Sequence, residues 1–382
     1  MQELASTQNN HITDAKITVN QKDLSLALLR ANTVADKKNM LPEFSNLLME
    51  VRDNNLHVIA TDLDLIMREV LLVEASCNVE ISVNAGLLYD IVKRLDERHK
   101  VVLELDSEDG MLKITSQGSH FSIPVSDPKN FPILDDDTYD LSFNIPGNAL
   151  RRLINCTKFS ASQDEARRAL SGIYLHQQNK ALVCTALDGH RLAFAQTPDL
   201  EIPEFNGVII SKKTATEFIK ILDGINSELT LSISSNKIKL SNSTFSVSSK
   251  LVDAIFPAYS GLIPTQHQIQ ITVPTREFKH AVERASAIAN EKLRGLLFLI
   301  HQNTLTLSGR SDVNAYSKEV IDLQGQWFEK AFEVGINFRY VLEILSTIEE
   351  DAVTLKFNDP FSAVVITSSN PNNYWIIMPM RV

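Results

Sequence analysis

The sequence predicts an α+β chain built from three repeated units, each with two helices packed on antiparallel sheets. Three observations predict it. The strand-to-helix entry Val19-Asn20-Gln21-Lys22-Asp23-Leu24 returns as Ile145-Pro146-Gly147-Asn148-Ala149-Leu150 and as Val273-Pro274-Thr275-Arg276-Glu277-Phe278. These entries lie 126 and 128 residues apart, a spacing that suits a whole domain rather than a solenoid repeat. Short alternating runs follow each entry in an order that is not a regular strand–helix alternation, which argues against a parallel doubly wound sheet.

Taken in order, the first unit reads as a helix over 22–38, strands over 56–60 and 67–73, a helix over 87–95, and strands over 101–105 and 112–115. The second reads as a helix over 148–159, strands over 181–185 and 192–195, a helix over 214–222, and strands over 229–233 and 237–240. The third reads as a helix over 278–294, strands over 305–307 and 315–321, a helix over 338–345, and strands over 353–357 and 363–367. An aspartate bounds the paired strands each time, at Asp62, Asp188 and Asp312. Phe131-Pro132, Phe256-Pro257 and Met378-Pro379 close the units. Two linker-like segments, 133–140 and 260–268, place the domains at 16–138, 139–264 and 265–382, with 1–15 as a disordered extension.

The composition, 44% hydrophobic and 22% charged, is that of an ordinary globular protein. No apolar run approaches the roughly 18 residues of a membrane span, and the polar N-terminus carries no secretory signal. Cys77, Cys156 and Cys184 are odd in number and far apart, which suits a reducing cytoplasm and suggests neither a disulfide framework nor a zinc site. No metal or cofactor is expected.

A net charge of −10 argues, taken alone, against nucleic acid. Its distribution argues otherwise. Over 22–38, 148–159 and 278–294 there are four basic residues against two acidic, three against none, and four against two. The second helices are slightly acidic, so the first helices form a basic surface on an otherwise acidic chain.

At this point the residues resemble a family. Asp188-Gly189-His190-Arg191-Leu192-Ala193, Ser249-Lys250-Leu251-Val252-Asp253 with Phe256-Pro257, Asn290-Glu291-Lys292 with Arg294-Gly295, and the terminal Met378-Pro379-Met380-Arg381-Val382 are similar to the bacterial sliding clamps, the β subunit of DNA polymerase III. The resemblance spans about 16–382. It implies three clamp-type domains per chain and a head-to-tail dimeric ring, with twelve helices lining a hole and sheets forming the wall. Twelve helices side by side at roughly 8–10 Å leave a hole of roughly 22–28 Å, wide enough for duplex DNA. The implied function is a non-catalytic processivity factor that encircles double-stranded DNA in the cytoplasm. Its partners would be a second copy, the DNA polymerase III alpha subunit, the clamp loader, and other polymerases and repair proteins carrying clamp-binding peptides.

By position, the resemblance implies a partner-peptide cleft between the second and third domains. It would be lined by Leu170, Gly189, His190, Arg191, Leu192, Pro257, Leu262, Asn337, Tyr340, Phe361, Ile376, Met378, Pro379, Met380 and Arg381. Phe121 and Ile123 would meet Ala287 and Ile288 of a second copy. Lys38, Arg151, Arg152, Lys158, Arg167 and Arg284 would face DNA. Three features depart from the family pattern: Leu187 stands where threonine is common, Gly261 where a basic residue is common, and Arg167-Arg168-Ala169-Leu170 where a tyrosine-bearing stretch is usual.

Two other readings compete. Asp188 with His190, or Asp62 with Asp64, could supply metal ligands or an acid–base pair. The chain, however, has no HExxH, nucleophile elbow or glycine-rich phosphate loop. A peptide-binding scaffold that ignores DNA is the second alternative, and the basic first helices argue against it.

Overall fold

A computed structural model of the chain describes residues 14–35, 42–132, 138–198, 200–289, 294–311, 313 and 315–382. They form two compact units, one from residues up to 146 with 220–250, the other from 147–219 with 251–382. The second sequence repeat is therefore shared between the two.

The first unit holds one antiparallel sheet of thirteen strands. It runs from Leu141–Pro146 through Glu228–Ile233, Lys237–Ser241 and Phe245–Lys250 to Leu65–Leu72, Asn55–Thr61, Asn46–Arg52 and Val79–Asn84. It continues through Ser119–Ser126, Met111–Ser116, Lys100–Asp106 and Ala15–Asn20 to Glu74–Ala75. The join between repeats is an ordinary ladder, with Phe245 opposite Glu69 and Val247 opposite Met67. Side chains alternate across the sheet, so Leu56, Val58 and Ala60 are buried on one face. Onto that face pack α1 (Gln21–Val34) and α2 (Ala85–Val92). The helix α1 buries Leu24, Ala27, Leu28, Ala31 and Val34, a stripe at the three- and four-residue spacing that an amphipathic helix requires.

The second unit holds two antiparallel sheets. One has eight strands, in the order Val208–Ser211, Gly172–Gln178, Ala181–Leu187, Arg191–Thr197, Asn373–Ile377, Val364–Ser368, Ala352–Phe357 and Ile269–Pro274. The other has four: Tyr316–Asp322, Thr304–Arg310, Gly295–Gln302 and Phe328–Asn337. Here α3 (Gly147–Thr157) packs on Ala181–Leu187 and Arg191–Thr197, while α5 (Thr275–Ser286) packs on Thr304–Arg310 and Tyr316–Asp322. The partner of α5 is α6 (Phe338–Leu345), and α4 (Lys212–Ile221) straddles the division. The join Arg191–Thr197 to Asn373–Ile377 repeats the geometry of the first unit's join, with Ala193 opposite Trp375 and Ala195 opposite Asn373. Trp375 is fully buried there, and its indole donates to the Cys156 carbonyl at 2.9 Å. Cys156 and Cys184 are buried thiols, and burial pushes Cys156 up to about 11.

The order of elements agrees with the sequence reading, and α6 has the expected bounds. The first helices are shorter than expected. They end at Val34, Thr157 and Ser286 rather than near 38, 159 and 294. Ala35 turns the chain out of α1 into extended backbone at ψ 128, and Lys158 starts a separate 3-10 turn, Lys158–Ser160. Lys37, Lys38, Lys292 and Asp312 lie outside the described residues.

Candidate peptide-binding groove

The strand Ala181–Leu187 is buried at every position, so its sheet is covered on both faces. One face meets α3. On the other, Val183, Leu187, Leu192, Phe194, Ile209, Phe256, Val365 and Ile376 form an apolar cluster, with Leu170, Tyr174, Tyr259, Ile263 and Ala363 packed at its margin. Of the residues expected in the cleft, Leu192 and Ile376 sit in this cluster and Leu170 packs against it. Leu187, noted in the sequence as a departure from the family pattern, lies in it too, and Tyr174 and Val365 are the main additions. The two-residue period from Val183 carries the signal for Leu187, because Val183, Thr185 and Leu187 must share a face.

A tight turn stands beside the cluster. The Asp188 carboxylate accepts from the backbone N–H of His190 at 2.9 Å and of Arg191 at 3.1 Å, and Gly189 sits at φ 93, where a side chain would strain the backbone. Asp62 makes the same turn, accepting from the N–H of Asp64 and of Leu65. The recurring aspartate is thus a turn-former at both described positions. Among the described residues no group of three His, Cys, Asp or Glu could hold a metal.

Arg191 fixes the turn to the rest of the unit. Its side chain is 6% exposed. It pairs with Asp188 at 3.0 Å and with Glu343, and donates to the Phe159 carbonyl. Its guanidinium lies 4.2 Å from the centre of the Tyr340 ring. A buried cation tolerates this position only with all these partners. Burial, with Asp188 close by, raises the Tyr340 hydroxyl above its ordinary value. Asn337 caps α6 by accepting from the Arg339 N–H at 3.0 Å.

The tail runs from the turn across the small sheet. Met378 N–H donates to the His190 carbonyl at 2.8 Å and Met380 N–H to the Gly335 carbonyl at 2.9 Å. Gly335 is required by contact: a Cβ there would lie 2.2 Å from the Met380 carbonyl oxygen. Beside Arg381 opens a cavity of about 470 Å³ lined by Leu297, Leu299, Arg310, Tyr316 and Lys318. Leu262, Phe361 and Met378 are exposed large apolar side chains, and Pro257 is exposed next to buried Phe256. Such rims around an apolar floor mark a surface built to be covered.

The other expected residues are placed as follows. Arg151 is exposed on α3, with its Nε donating to the Ile219 carbonyl at 3.3 Å. Arg152 is half-buried and bonds Asn373 at 3.0 Å and the Gln196 carbonyl at 2.9 Å. Arg167 reaches the Asp188 carbonyl at 3.3 Å, and Lys158 is half-buried. Arg284 pairs with Glu319 at 2.7 Å. Arg30, read as basic surface, is turned inward onto Glu69 at 2.7 Å. Phe121 is 41% exposed and Ile123 is 3% exposed; Ala287 is exposed and Ile288 half-buried.

Residues 15–135, 144–258 and 260–381 match the family models of the N-terminal, central and C-terminal domains of the DNA polymerase III beta subunit. The chain belongs to the DNA polymerase III beta-subunit family. It is 31% identical over 381 residues to the beta sliding clamp of Rickettsia felis, covering 96% of this chain and all of that one. It is 30% identical over 369 residues to the beta sliding clamp of Escherichia coli K12, at the same coverage. Among solved structures it is similar to the beta sliding clamp of C. crescentus, at TM-score 0.89 and 29% identity, covering 97% of this chain and all of that one. That crystal holds polyethylene glycol at a region proposed to tether the beta motif. A clamp from Bartonella birtlesii bound to griselimycin matches at TM-score 0.89 and 30% identity, with the same coverage. Beta sliding clamps are non-catalytic processivity factors, and the sheets and the six α-helices among the described residues are those of the clamp fold.

Proposed function

We propose that two copies of this chain close head to tail into a ring around duplex DNA. The ring would hold the DNA polymerase III alpha subunit, the clamp loader and other polymerases and repair proteins in the cytoplasm through short apolar peptides seated in the groove. The observation that carries this reading is a strand joint made twice and left open once. Repeats one and two join through Glu69 opposite Phe245, and repeats two and three through Ala195 opposite Asn373. The third joint needs the strand Ser119–Ser126 of one copy and Tyr316–Asp322 of another. Among the described residues, Tyr316–Asp322 ends its sheet, and Ser119–Pro124 has a strand on one side only. Carrying the register over by repeat sets Phe121 opposite Ser317 of a second copy. Ser317 bonds the Ala285 carbonyl at 2.6 Å, which would bring Phe121 to Ala287 and Ile288.

Within such a ring, sequence-independent attraction between phosphates and exposed cations such as Arg151 permits sliding, and encirclement prevents escape. A polymerase bound to the ring keeps a high effective concentration of template. The domains of this reading are 16–138, 139–264 and 265–382. The groove's apolar floor, with Leu187 in it, suits aliphatic or aromatic peptide anchors. The test is loading onto nicked circular DNA followed by high salt and then linearisation. The ring reading expects survival in salt and loss on cutting; loss in salt alone would refute it.

A further inference from the structure

The repeats place one ion pair twice. Arg30 and Arg284 each stand eleven residues after the strand valine that opens their unit, Val19 and Val273. Glu69 and Glu319 each stand three residues beyond the innermost pair of their hairpin, Thr61–Ile66 and Arg310–Tyr316. Both pairs run from the first helix of a repeat to the strand that ends that repeat's own hairpin. Their surroundings differ. In the first unit the strand Phe245–Lys250 lies over the pair, the Phe245 ring centre is 4.8 Å from the Arg30 guanidinium, and the side chains are only 13% and 5% exposed. Burial raises the Glu69 carboxyl despite Arg30. In the second unit no strand covers the pair among the described residues, and Arg284 and Glu319 are 57% and 26% exposed.

The same positions in the second repeat are Cys156 and Ala195. That joint is closed too, by Asn373, whose amide lies 3.9 Å from the Cys156 sulfur. A sealed joint therefore accepts a complete ion pair or a wholly neutral pair, and the described residues contain no half-neutral example.

We propose that Arg284 and Glu319 form the closing ion pair of the intermolecular joint, covered by Ser119 of a second copy, and that Arg284 is not a phosphate contact. This rests on the ring reading and goes further, since it names the groups that decide how tightly the ring shuts. The physical consequence is an asymmetry. Removing one member leaves a lone charge under the incoming strand, whereas removing both leaves a neutral surface that packs. In the isolated chain Arg284 is exposed and Glu319 only half-buried, so neither change should cost much in folding.

The experiment measures the dimer dissociation constant by sedimentation for the full chain and for Arg284→Met, Glu319→Leu and the double variant, with thermal unfolding of each. Each single variant should weaken the dimer about a hundredfold or more, and the double should return to within about tenfold of the parent. Unfolding midpoints in dilute, monomeric samples should stay together. Single variants that dimerise like the parent overturn the proposal, as does a double variant weaker than either single. So does an Arg284→Met chain that keeps its dimer constant but loses salt-dependent DNA affinity. A parent chain that stays monomeric at every concentration overturns the ring itself, which the comparison among variants keeps distinct.

Discussion

The backbone N–H of Met378 donates to the carbonyl oxygen of His190 at 2.8 Å, tying the C-terminal tail to the Asp188 turn. One further backbone bond, Met380 to Gly335, holds the rest. The tail is thus a rim of the groove and not part of the core that Trp375 anchors. Deleting 378–382 should leave the unfolding midpoint within a few degrees of the parent and the dimer intact, because only about two net hydrogen bonds of roughly 1 kcal/mol each are lost. Affinity for a fluorescent clamp-binding peptide should fall at least about tenfold, since the rim residues Met378 and Arg381 go with it. Unchanged peptide affinity would refute the groove assignment.

Gly335→Ala tests the same rim without a deletion. The added Cβ would meet the Met380 carbonyl at 2.2 Å, and a backbone atom cannot swing aside like a flexible side chain. The tail should lift while the four-stranded sheet remains. Peptide anisotropy should show weaker binding, by about 1–3 kcal/mol as for other overpacked contacts, with circular dichroism unchanged.

Arg191→Lys should be costly although charge is kept. A single ammonium cannot serve Asp188, Glu343 and the Phe159 carbonyl together, nor stack flat on Tyr340. Denaturant titration should show a loss of about 2–3 kcal/mol, the scale of breaking part of a buried charge network. A loss under 0.5 kcal/mol would mean the network contributes nothing to holding the turn.

These sites differ in how far the sequence exposes them. The repeat was legible because strand entries, turn aspartates and closing Phe-Pro pairs are local patterns. The α6 bounds were legible because Asn337 caps and the apolar period runs unbroken to Leu345. The placement of the basic residues on the first helices was only partly legible. Counting charges along a helix does not reveal which way each points: Arg30 meets Glu69 thirty-nine residues on, and Arg152 meets Asn373 at a separation of 221. The groove floor was half legible, since Leu187 follows from strand parity but Val365 and Tyr259 arrive only through tertiary packing.

His176 gives the groove margin a pH dependence. Its Nε2 lies 3.0 Å from the Tyr259 hydroxyl and its Nδ1 3.3 Å from the Gln177 carbonyl, which suits a neutral ring donating through Nδ1 and accepting through Nε2. Burial lowers its pKa from 6.5. A lowered value in the folded chain means the unfolded chain binds the proton first. The stabilisation is therefore present above about 6.5 and is lost as pH falls through the folded value. Unfolding midpoints measured from pH 7.5 down to 5 should drop more steeply for the parent than for His176→Phe. Parallel curves would show that His176 is not the source.

The central claim is a closed ring, and the third joint offers its most direct measurement. The inferred register places His120 opposite Lys318 of a second copy, and both are exposed in the single chain. A chain carrying His120→Cys and Lys318→Cys, loaded on closed circular DNA and then oxidised, should remain on that DNA through denaturant. Cutting the circle or adding reductant should release it. Oxidised protein that denaturant strips from an uncut circle would contradict the ring.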